Sequence, residues 1–193
     1  VGEKVLRLEE RLGYVHKGIE KRFEDFTVPE GYRLAGRVSG DSTVAFAWAY
    51  AQAAESLLGV EPPARARWIR ALMLERERVA NHLGDLGALG NDAALAFALA
   101  QFMRLKEDWV RLSAEIFGHR LLMDRIVPGG VDADFGAAQA ERLVGQSHAI
   151  EAEVRELRHI FEEHAGLQDR FLTTGRVTPE LARTLGLTGL AAR

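Results

Sequence analysis

The sequence predicts a mainly α fold, a bundle of about four long helices with a small N-terminal strand or hairpin remnant. Long stretches rich in alanine and leucine alternate with short segments that contain glycine or proline. Within the long stretches, apolar residues recur at helical spacing. The connections between them are short, which is typical of antiparallel helical bundles.

The composition is that of one globular domain, which we assign to residues 1–193. Of the 193 residues, 47% are hydrophobic and 27% are charged, enough for a sizeable core. A net charge of −3 gives no general attraction to nucleic acid, and no nucleic-acid partner is expected. No apolar run approaches the ~20 residues that span a bilayer, so any membrane contact is expected to go through partner proteins. The first residue is Val1 and the last is Arg193, and we expect a fragment of a longer protein.

The chain contains no cysteine. This excludes disulfides, thiolate nucleophiles, and zinc, nickel or iron–sulfur sites that are held by cysteine.

The first elements of the chain are short. We assign residues 4–15 to the strand or hairpin remnant, because Val5–Leu8 is compatible with a strand and Gly13 interrupts any helix. A short amphipathic helix follows over His16–Phe26, and Pro29 stops it.

The first long helix follows the polar turn Ser39-Gly40-Asp41-Ser42. We expect Asp41 or Ser42 to be its N-cap, because either side-chain oxygen can accept from the free backbone N–H groups. The helix runs to about Leu58 and is almost entirely apolar. A helix of that kind is buried on most sides, so we place it at the centre of the domain.

Three more long helices follow after Gly59 and Pro62-Pro63. The second runs from Ala64 to about Gly87 and breaks over Gly87–Asn91, and the third runs from about Asp92 to Phe117. Four residues are assigned to the inner face of the second helix: Trp68, Leu72, Val79 and Leu83.

The C-terminal part begins with a loop, residues 118–134, in which Pro128-Gly129-Gly130 predicts a tight turn. The fourth long helix spans about Asp134–Gly166, and its other face is highly charged. Its apolar stripe consists of Leu143, Ile150, Val154, Leu157 and Phe161. A last short helix begins at Thr178-Pro179, a cap followed by proline at the first helical position.

The second long helix carries a dense polar cluster: Glu75, Glu77, Arg78, Asn81, His82 and Asp85. Four of these are spaced by three, four and three residues along one side of the helix: Glu75, Arg78, His82 and Asp85. The pattern alone favours a surface ladder of ion pairs, each contributing a few tenths of a kcal/mol. A proton relay and a charged contact with a redox centre are the functional alternatives.

A second candidate is Glu55, which comes after a long apolar run. An isolated buried carboxylate costs several kcal/mol unless it is paired. Glu55 therefore either emerges at the helix end or pairs with an arginine such as Arg67 or Arg70.

Residues 13–25, GYVHKGIEKRFED, resemble the GYxHRGIEK segment of a family of large subunits. The family comprises the membrane-bound, energy-converting nickel–iron hydrogenases and the related quinone-site subunit of respiratory complex I. The ordered match continues at these positions: Arg37–Ser42, Ala49–Tyr50, Glu55, Pro63–Ala66, Ile69–Arg70, Glu75, Glu77–Arg78, Asn81–Leu83, Gly118 with Arg120, Pro128–Val131, and Arg170 with Thr174–Arg176.

The departures from this family decide what the resemblance implies. Where hydrogenases have two metal-binding cysteines and a histidine, this chain has Ser39, Ser42 and Phe46. A serine hydroxyl is a poor ligand for a soft metal, so a nickel–iron centre is not expected. The quinone-site tyrosine of complex I falls at Gly40, and its quinone-site histidine lies in an N-terminal hairpin that this sequence lacks. The chain therefore most resembles the cysteine-less members of the family.

The resemblance implies a large-subunit homologue in a membrane-associated oxidoreductase complex. It would relay electrons from a partner iron–sulfur subunit toward quinone or ion translocation, with all cofactors in its partners. Expected partners are the iron–sulfur small subunit, ion-translocating membrane subunits and a quinone at the complex interface. The expected location is peripheral, on the cytoplasmic face of the cytoplasmic membrane. We expect the chain by itself to be inactive; the alternative is a non-catalytic structural or assembly subunit.

The resemblance also gives the polar cluster a role. In these relatives this helix packs near the iron–sulfur cluster of the partner subunit. Arg78 and His82, with Glu75 and Asp85, are therefore candidates for tuning the cluster or relaying protons.

Overall fold

A computed structural model describes residues 6–189 and confirms a mainly helical fold. The described part of the chain contains eight α-helices: α1 (Ile19–Phe23), α2 (Tyr32–Ala35), α3 (Thr43–Leu58), α4 (Ala64–Asp92), α5 (Ala96–Phe117), α6 (Ala137–Glu163), α7 (Ala165–Phe171) and α8 (Pro179–Thr184). A 3₁₀ turn, Gly40–Ser42, precedes α3. The four long helices that the sequence predicts are α3, α4, α5 and α6.

The strand or hairpin remnant is not found where the sequence placed it. Residues 6–15 have no strand, while Lys4 and Val5 lie outside the described residues. Leu6, Leu8 and Leu12 are almost fully exposed, so no neighbouring strand covers their side chains. The described hairpin lies instead at β1 (Ile126–Val127) and β2 (Gly130–Val131), which pair antiparallel.

The chain forms two compact units. One consists of Val1–Arg78 and Ser113–Phe135, and the other of Val79–Leu112 and Gly136–Arg193, within the residues that are described. Both unit boundaries at residues 78 and 112 fall inside long helices. The assignment of residues 1–193 to a single domain stays a prediction.

In the first unit, helix α3 is buried along one stripe only: Thr43, Val44, Ala47, Ala51, Ala54 and Glu55. Phe46, Leu57 and Leu58 are exposed on its other sides. The prediction that α3 is buried on most sides is therefore wrong for this chain. Almost every position of α3 is apolar and would suit a core. The sequence therefore does not indicate which side of the helix is buried.

The predicted inner face of helix α4 is partly correct. Leu83 is buried and Leu72 and Val79 are half-buried, but Trp68 is 77% exposed. Hydrophobicity alone misassigns Trp68 and misses Arg70, which is only 1% exposed. Buried arginine and glutamate residues share the inner face with alanine, isoleucine and methionine.

The loop between α5 and α6 contains the predicted tight turn. Pro128 and Gly129 connect β1 to β2, and Gly129 has a φ of 87°. This left-handed conformation favours glycine. The turn lies in the first unit.

In the second unit, helix α4 continues through the predicted break and ends at Asp92. A Cβ atom at Gly90 would overlap the Cβ of Ala98, and one at Gly87 would lie 3.2 Å from the Cβ of Phe102. Gly90 therefore permits the close approach of α5, a Cβ atom at Gly87 would make a tight contact, and neither glycine ends the helix. The chain reverses after Asp92, where Ala94 has a positive φ of 67°.

Helices α6 and α8 of the second unit agree with the predicted pattern, whereas α7 was not predicted and begins at Ala165, inside the predicted fourth helix. The inner face of α6 includes Leu143, Ile150 and Leu157, all buried. Phe161 of α6 meets Phe102 of α5 edge to face, with the ring centroids 5.6 Å apart. The short α8 begins as predicted, and the Thr178 hydroxyl accepts from the backbone N–H of Leu181 at 3.2 Å.

None of the helices described in residues 6–189 is long and apolar enough to cross a membrane.

Candidate functional site

The first turn of α3 is held by a residue of another helix. Ser42, the N-cap residue of α3, makes no side-chain capping hydrogen bond, and the hydroxyl of Ser39 donates to the carboxylate of Asp41. The cap comes from helix α4. Val44 N donates to Glu77 Oε2 at 2.5 Å, and Ala45 N donates to Glu77 Oε1 at 3.0 Å.

Glu77 therefore lies at the positive end of the α3 dipole, and it is only 8% exposed. Burial raises the pKa of its carboxyl above 4.5, and the charge of Asp41 adds to the rise. The two backbone N–H groups and the charge of Arg78 act in the opposite direction on this pKa. The sequence placed Glu77 in the polar cluster but did not predict its burial. An acidic residue near a helix N-terminus in the sequence is a recognisable sign of a cap. Glu77 gives no such sign, because Val44, to which it binds, lies 33 residues earlier in the chain.

The residues of the turn do not fit a nickel–iron centre. Ser39 and Ser42 offer hydroxyl oxygens, which are hard donors, and the hydroxyl of Ser39 is used in its bond to Asp41. Phe46 has no donor atom and is 41% exposed. Among the residues from 6 to 189, no three His, Asp or Glu side chains are grouped so that they could hold a metal ion.

A cleft of about 950 Å³ is lined by residues on either side of this turn, Val38 before it and Phe46 after it. One side of its lining comes from the segment that carries the family resemblance, and another comes from α3. Its apolar lining includes Ile19, Phe23, Val38, Phe46, Ala49 and Tyr50. The volume is within the range of about 300–1,000 Å³ that is typical of small-molecule sites.

Polar side chains also line this cleft. His16, Lys17 and Glu20 contribute to its lining. The Lys17 ammonium donates to the carbonyl of Val38 at 3.1 Å and carries further hydrogens that can donate to a ligand. His16 Nδ1 accepts from the backbone N–H of Gly18 at 3.0 Å.

Tyr50 closes part of the cleft and is itself held in place. Its hydroxyl donates to the carbonyl of Val28 at 2.8 Å, and its ring stacks on Phe23 with centroids 5.6 Å apart. A Cβ atom at Gly31 would overlap the Tyr50 hydroxyl oxygen, so glycine is required there. Burial raises the pKa of the Tyr50 phenol.

A buried ion pair lies at the other end of α3, and it confirms the predicted partner Arg70 for Glu55. Arg70 Nη2 lies 2.5 Å from Glu55 Oε1, and Arg70 Nη1 donates to Glu55 Oε2 at 3.1 Å. The guanidinium also donates to the carbonyls of Val127 and Gly130, and Gly129 N donates to Glu55 Oε1 at 2.8 Å. Because both side chains bind each other and the hairpin, the arrangement attaches β1 and β2 to α3 and α4. Arg67, the other predicted partner, is exposed.

A second arginine of α4 is buried and was missed from the sequence. Arg76 is 2% exposed and donates from Nε to the hydroxyl of Ser113 at 2.9 Å. Burial lowers the pKa of its guanidinium to about 10. Arginine is normally assigned to a surface, so a sequence pattern alone gives no signal for this position.

The four residues predicted to lie along one side of α4, Glu75, Arg78, His82 and Asp85, form a polar row on the outside of the helix. In the first unit, Arg78 Nε donates to Glu75 Oε2 at 3.0 Å, and both side chains are exposed. In the second unit, His82 and Asp85 are both exposed. The functional role of these four residues stays a prediction.

Comparison with known proteins identifies the family. Residues 89–193, more than half of the chain, match the model of the respiratory-chain NADH dehydrogenase 49 kDa subunit. The chain belongs to this family.

Individual relatives extend the similarity over the whole chain. It is 28% identical to a subunit of the F(420)H(2) dehydrogenase of Methanosarcina mazei, covering 100% of this chain and 51% of that protein. It is 32% identical to a subunit of the NADH-quinone oxidoreductase of Rhizobium etli, covering 97% of this chain and 46% of that protein. It is also 31% identical to formate hydrogenlyase subunit 5 of Escherichia coli, covering 100% of this chain and 34% of that protein.

A solved structure shares the fold. The membrane-bound sulfane sulfur reductase, an archaeal respiratory membrane complex, contains a chain that matches with a TM-score of 0.85 and 24% identity. The match covers 92% of this chain and 48% of that one. The present chain thus spans about half the length, or less, of the relatives it matches.

Proposed function

We propose that this chain is part of the large subunit of a membrane-associated respiratory oxidoreductase complex of the NADH-quinone type. It relays electrons from an iron–sulfur cluster in a partner subunit toward quinone or an ion-translocating step. The chain has no nickel–iron site of its own, and the cofactors are bound by its partners. Membership of the 49 kDa subunit family and the names of the relatives support this proposal.

The observation that carries the proposal is the cleft beside the Gly40–Ser42 turn. Its apolar side chains suit the ring and tail of a quinone, and Lys17 and His16 supply polar contacts for the quinone oxygens. Ser39 and Ser42 make the same region unsuitable for a soft metal. An organic ligand therefore fits the chemistry of this cleft better than a nickel–iron centre does.

The partners follow from the same family. We propose an iron–sulfur small subunit and ion-translocating membrane subunits, with the chain held peripherally at the cytoplasmic face of the cytoplasmic membrane. The exposed residues Arg78 and His82 on α4 are the proposed contacts near the partner's cluster. A positive guanidinium there favours the reduced cluster, and a titratable imidazole can couple electron arrival to proton uptake.

The cleft is tested with a photoreactive benzoquinone in the purified complex, followed by peptide mapping. Labelling is expected within residues 15–50. Ala49→Trp fills the cleft and is expected to remove the labelling, whereas Ala53→Trp, one turn further on an exposed side of α3, leaves it unchanged. Labelling that persists in Ala49→Trp contradicts a quinone site at this cleft.

The alternative is a non-catalytic structural or assembly subunit. The exposure of large apolar side chains supports it, because Trp68 is 77% exposed and Leu57 is 74% exposed. His82→Ala in the assembled complex separates the two functions. A relay predicts a changed cluster potential or electron-transfer rate with intact assembly, and unchanged values favour the scaffold. Stoichiometric nickel in the purified complex contradicts both.

A further inference from the structure

Glu77 connects helix α4 to one side of the cleft. Its two carboxylate oxygens hold the N–H groups of Val44 and Ala45 in the first turn of α3. The next residue, Phe46, lines the cleft, and so do Ala49 and Tyr50 one turn further along α3. Any shift of the first turn therefore moves cleft-lining residues.

A cap from a distant residue has a consequence that a local cap does not. Asp41 and Ser42 would fix the N-terminus of α3 only with respect to its own turn. Glu77 belongs to α4, so its bonds fix the N-terminus of α3 with respect to another helix. The charge state of this one carboxylate then decides how firmly that side of the cleft is held.

We propose that Glu77 is a positioning residue for the cleft, and that its protonation releases the first turn of α3 and reshapes the ligand site. This inference rests on the proposed function, which makes the cleft a ligand site. An ionised carboxylate accepts both N–H bonds with both oxygens. A neutral carboxyl has one oxygen that carries a proton, and that oxygen is a poor acceptor, so one of the two bonds weakens.

The surroundings of Glu77 favour protonation at a higher pH than for an exposed carboxylate. Asp41, from the turn before α3, adds a negative charge, and Arg78, the next residue on α4, adds a positive one. Burial raises the pKa of Glu77, and among these influences it is the largest. The two N–H bonds and the helix dipole of α3 favour the ionised form of Glu77. When the first turn moves away and Glu77 stays buried, these bonds are lost and the pKa of Glu77 rises further, so protonation favours the released turn.

The first experiment needs no ligand. Hydrogen–deuterium exchange of residues 43–50 is measured in the assembled complex across the pH range in which the complex stays intact and is corrected for intrinsic exchange. Protection is expected to fall about three- to tenfold as pH falls through the Glu77 midpoint, the change expected for one buried hydrogen bond. Protection that does not vary with pH overturns the inference.

Two variants identify the titrating group. Asp41→Asn removes a negative charge beside Glu77, so the midpoint is expected to move to lower pH. Glu61→Gln removes a charge from an exposed position of the same unit, so the midpoint is expected to stay unchanged. An unmoved midpoint in Asp41→Asn assigns the transition to another group and overturns the inference, even if Glu77 variants fail to fold.

The second experiment measures the affinity of a soluble quinone analogue over the same pH range. In the wild type, affinity is expected to change several-fold with the midpoint found by exchange. In Glu77→Gln, the change in affinity with that midpoint is expected to disappear. Equal pH profiles in the two proteins overturn the inference and leave the quinone site intact. If the wild type binds no analogue, the proposed function fails, and the exchange experiment still decides the role of Glu77.

Discussion

Glu55 and Glu77 are two buried carboxylates of the same unit, and their pKa values are shifted in opposite directions. Glu55 is 6% exposed and Glu77 is 8% exposed. Burial acts to raise the pKa of both. For Glu55 the hydrogen bonds and charge of Arg70, together with the N–H of Gly129, outweigh burial and lower the pKa below 4.5. For Glu77 burial prevails, and the pKa is raised.

The difference shows that the partner determines the behaviour of a buried acid. Glu55 binds a guanidinium, whose full charge favours the carboxylate strongly. The hydrogen bonds of Glu77 to α3 come from neutral backbone N–H groups, which favour the carboxylate less. The first arrangement suits a permanent attachment between helices and hairpin. The second suits a group that gains and loses a proton.

The largest expected effect on stability comes from breaking the buried Arg70–Glu55 ion pair. Arg70→Met leaves Glu55 buried without its guanidinium and is expected to cost about 3–5 kcal/mol of unfolding free energy. Denaturant unfolding measures the change. Arg67→Met, one turn earlier on α4 and exposed, is the matched control, with an expected cost below about 0.5 kcal/mol. A similar cost for both variants contradicts the importance of the Arg70–Glu55 pair.

Removal of the Glu77 cap is expected to have a smaller effect. Glu77→Ala leaves two N–H groups of α3 without their acceptor and is expected to cost about 1–3 kcal/mol of unfolding free energy. Circular dichroism during urea unfolding measures it. The control is Glu75→Ala, which lies two residues earlier and is exposed. If Glu77→Ala is as stable as Glu75→Ala, the cap does not contribute.

The pH dependence of the two carboxylates gives the sharpest contrast. Because the folded pKa of Glu55 is lowered, its stabilising contribution is present above pH 4.5 and is lost as pH falls through the folded pKa. Compared with the unfolded chain, in which its carboxyl is exposed, Glu77 has a raised pKa, so its contribution to global stability is present below pH 4.5 and is lost as pH rises through the folded pKa. Release of the first turn of α3 is a separate equilibrium, because there Glu77 stays buried and loses only its two N–H bonds.

Glu55→Gln and Glu77→Gln test this by unfolding at a series of pH values. The destabilisation by Glu55→Gln is expected to shrink toward low pH, and that by Glu77→Gln is expected to shrink toward high pH. Slopes of the same sign show that the two acids do not differ in the proposed way.

The exposed pair on α4 is expected to contribute least. Arg78→Ala removes its bond to Glu75 and is expected to cost about 0.2–1 kcal/mol of unfolding free energy, because solvent and salt screen the pair. The cost should decrease further when the same unfolding measurement is made at high salt. A cost near that of Arg70→Met means that Arg78 is buried against something in solution.

Much of the fold was predictable because it depends on local patterns. The four long helices follow from periodicity, and the α8 cap follows from Thr178-Pro179. The predicted break at Gly87 was wrong, since a glycine that ends a helix and one that admits a neighbouring helix look alike in sequence. The choice of Arg70 over Arg67 also needed the structure, because both arginines lie on α4 near the end of α3.

By itself, the sequence determined the helical class, the family resemblance and the absence of thiolate ligands at Ser39 and Ser42. Tertiary structure alone decided which charges are buried. It placed Glu77, which lies on another side of α4 from the polar row, against the N-terminus of α3, and it placed Arg70 against the hairpin turn. The physical reason is that burial and hydrogen-bond partners depend on contacts between distant residues, whereas a sequence pattern records only the period of its own helix.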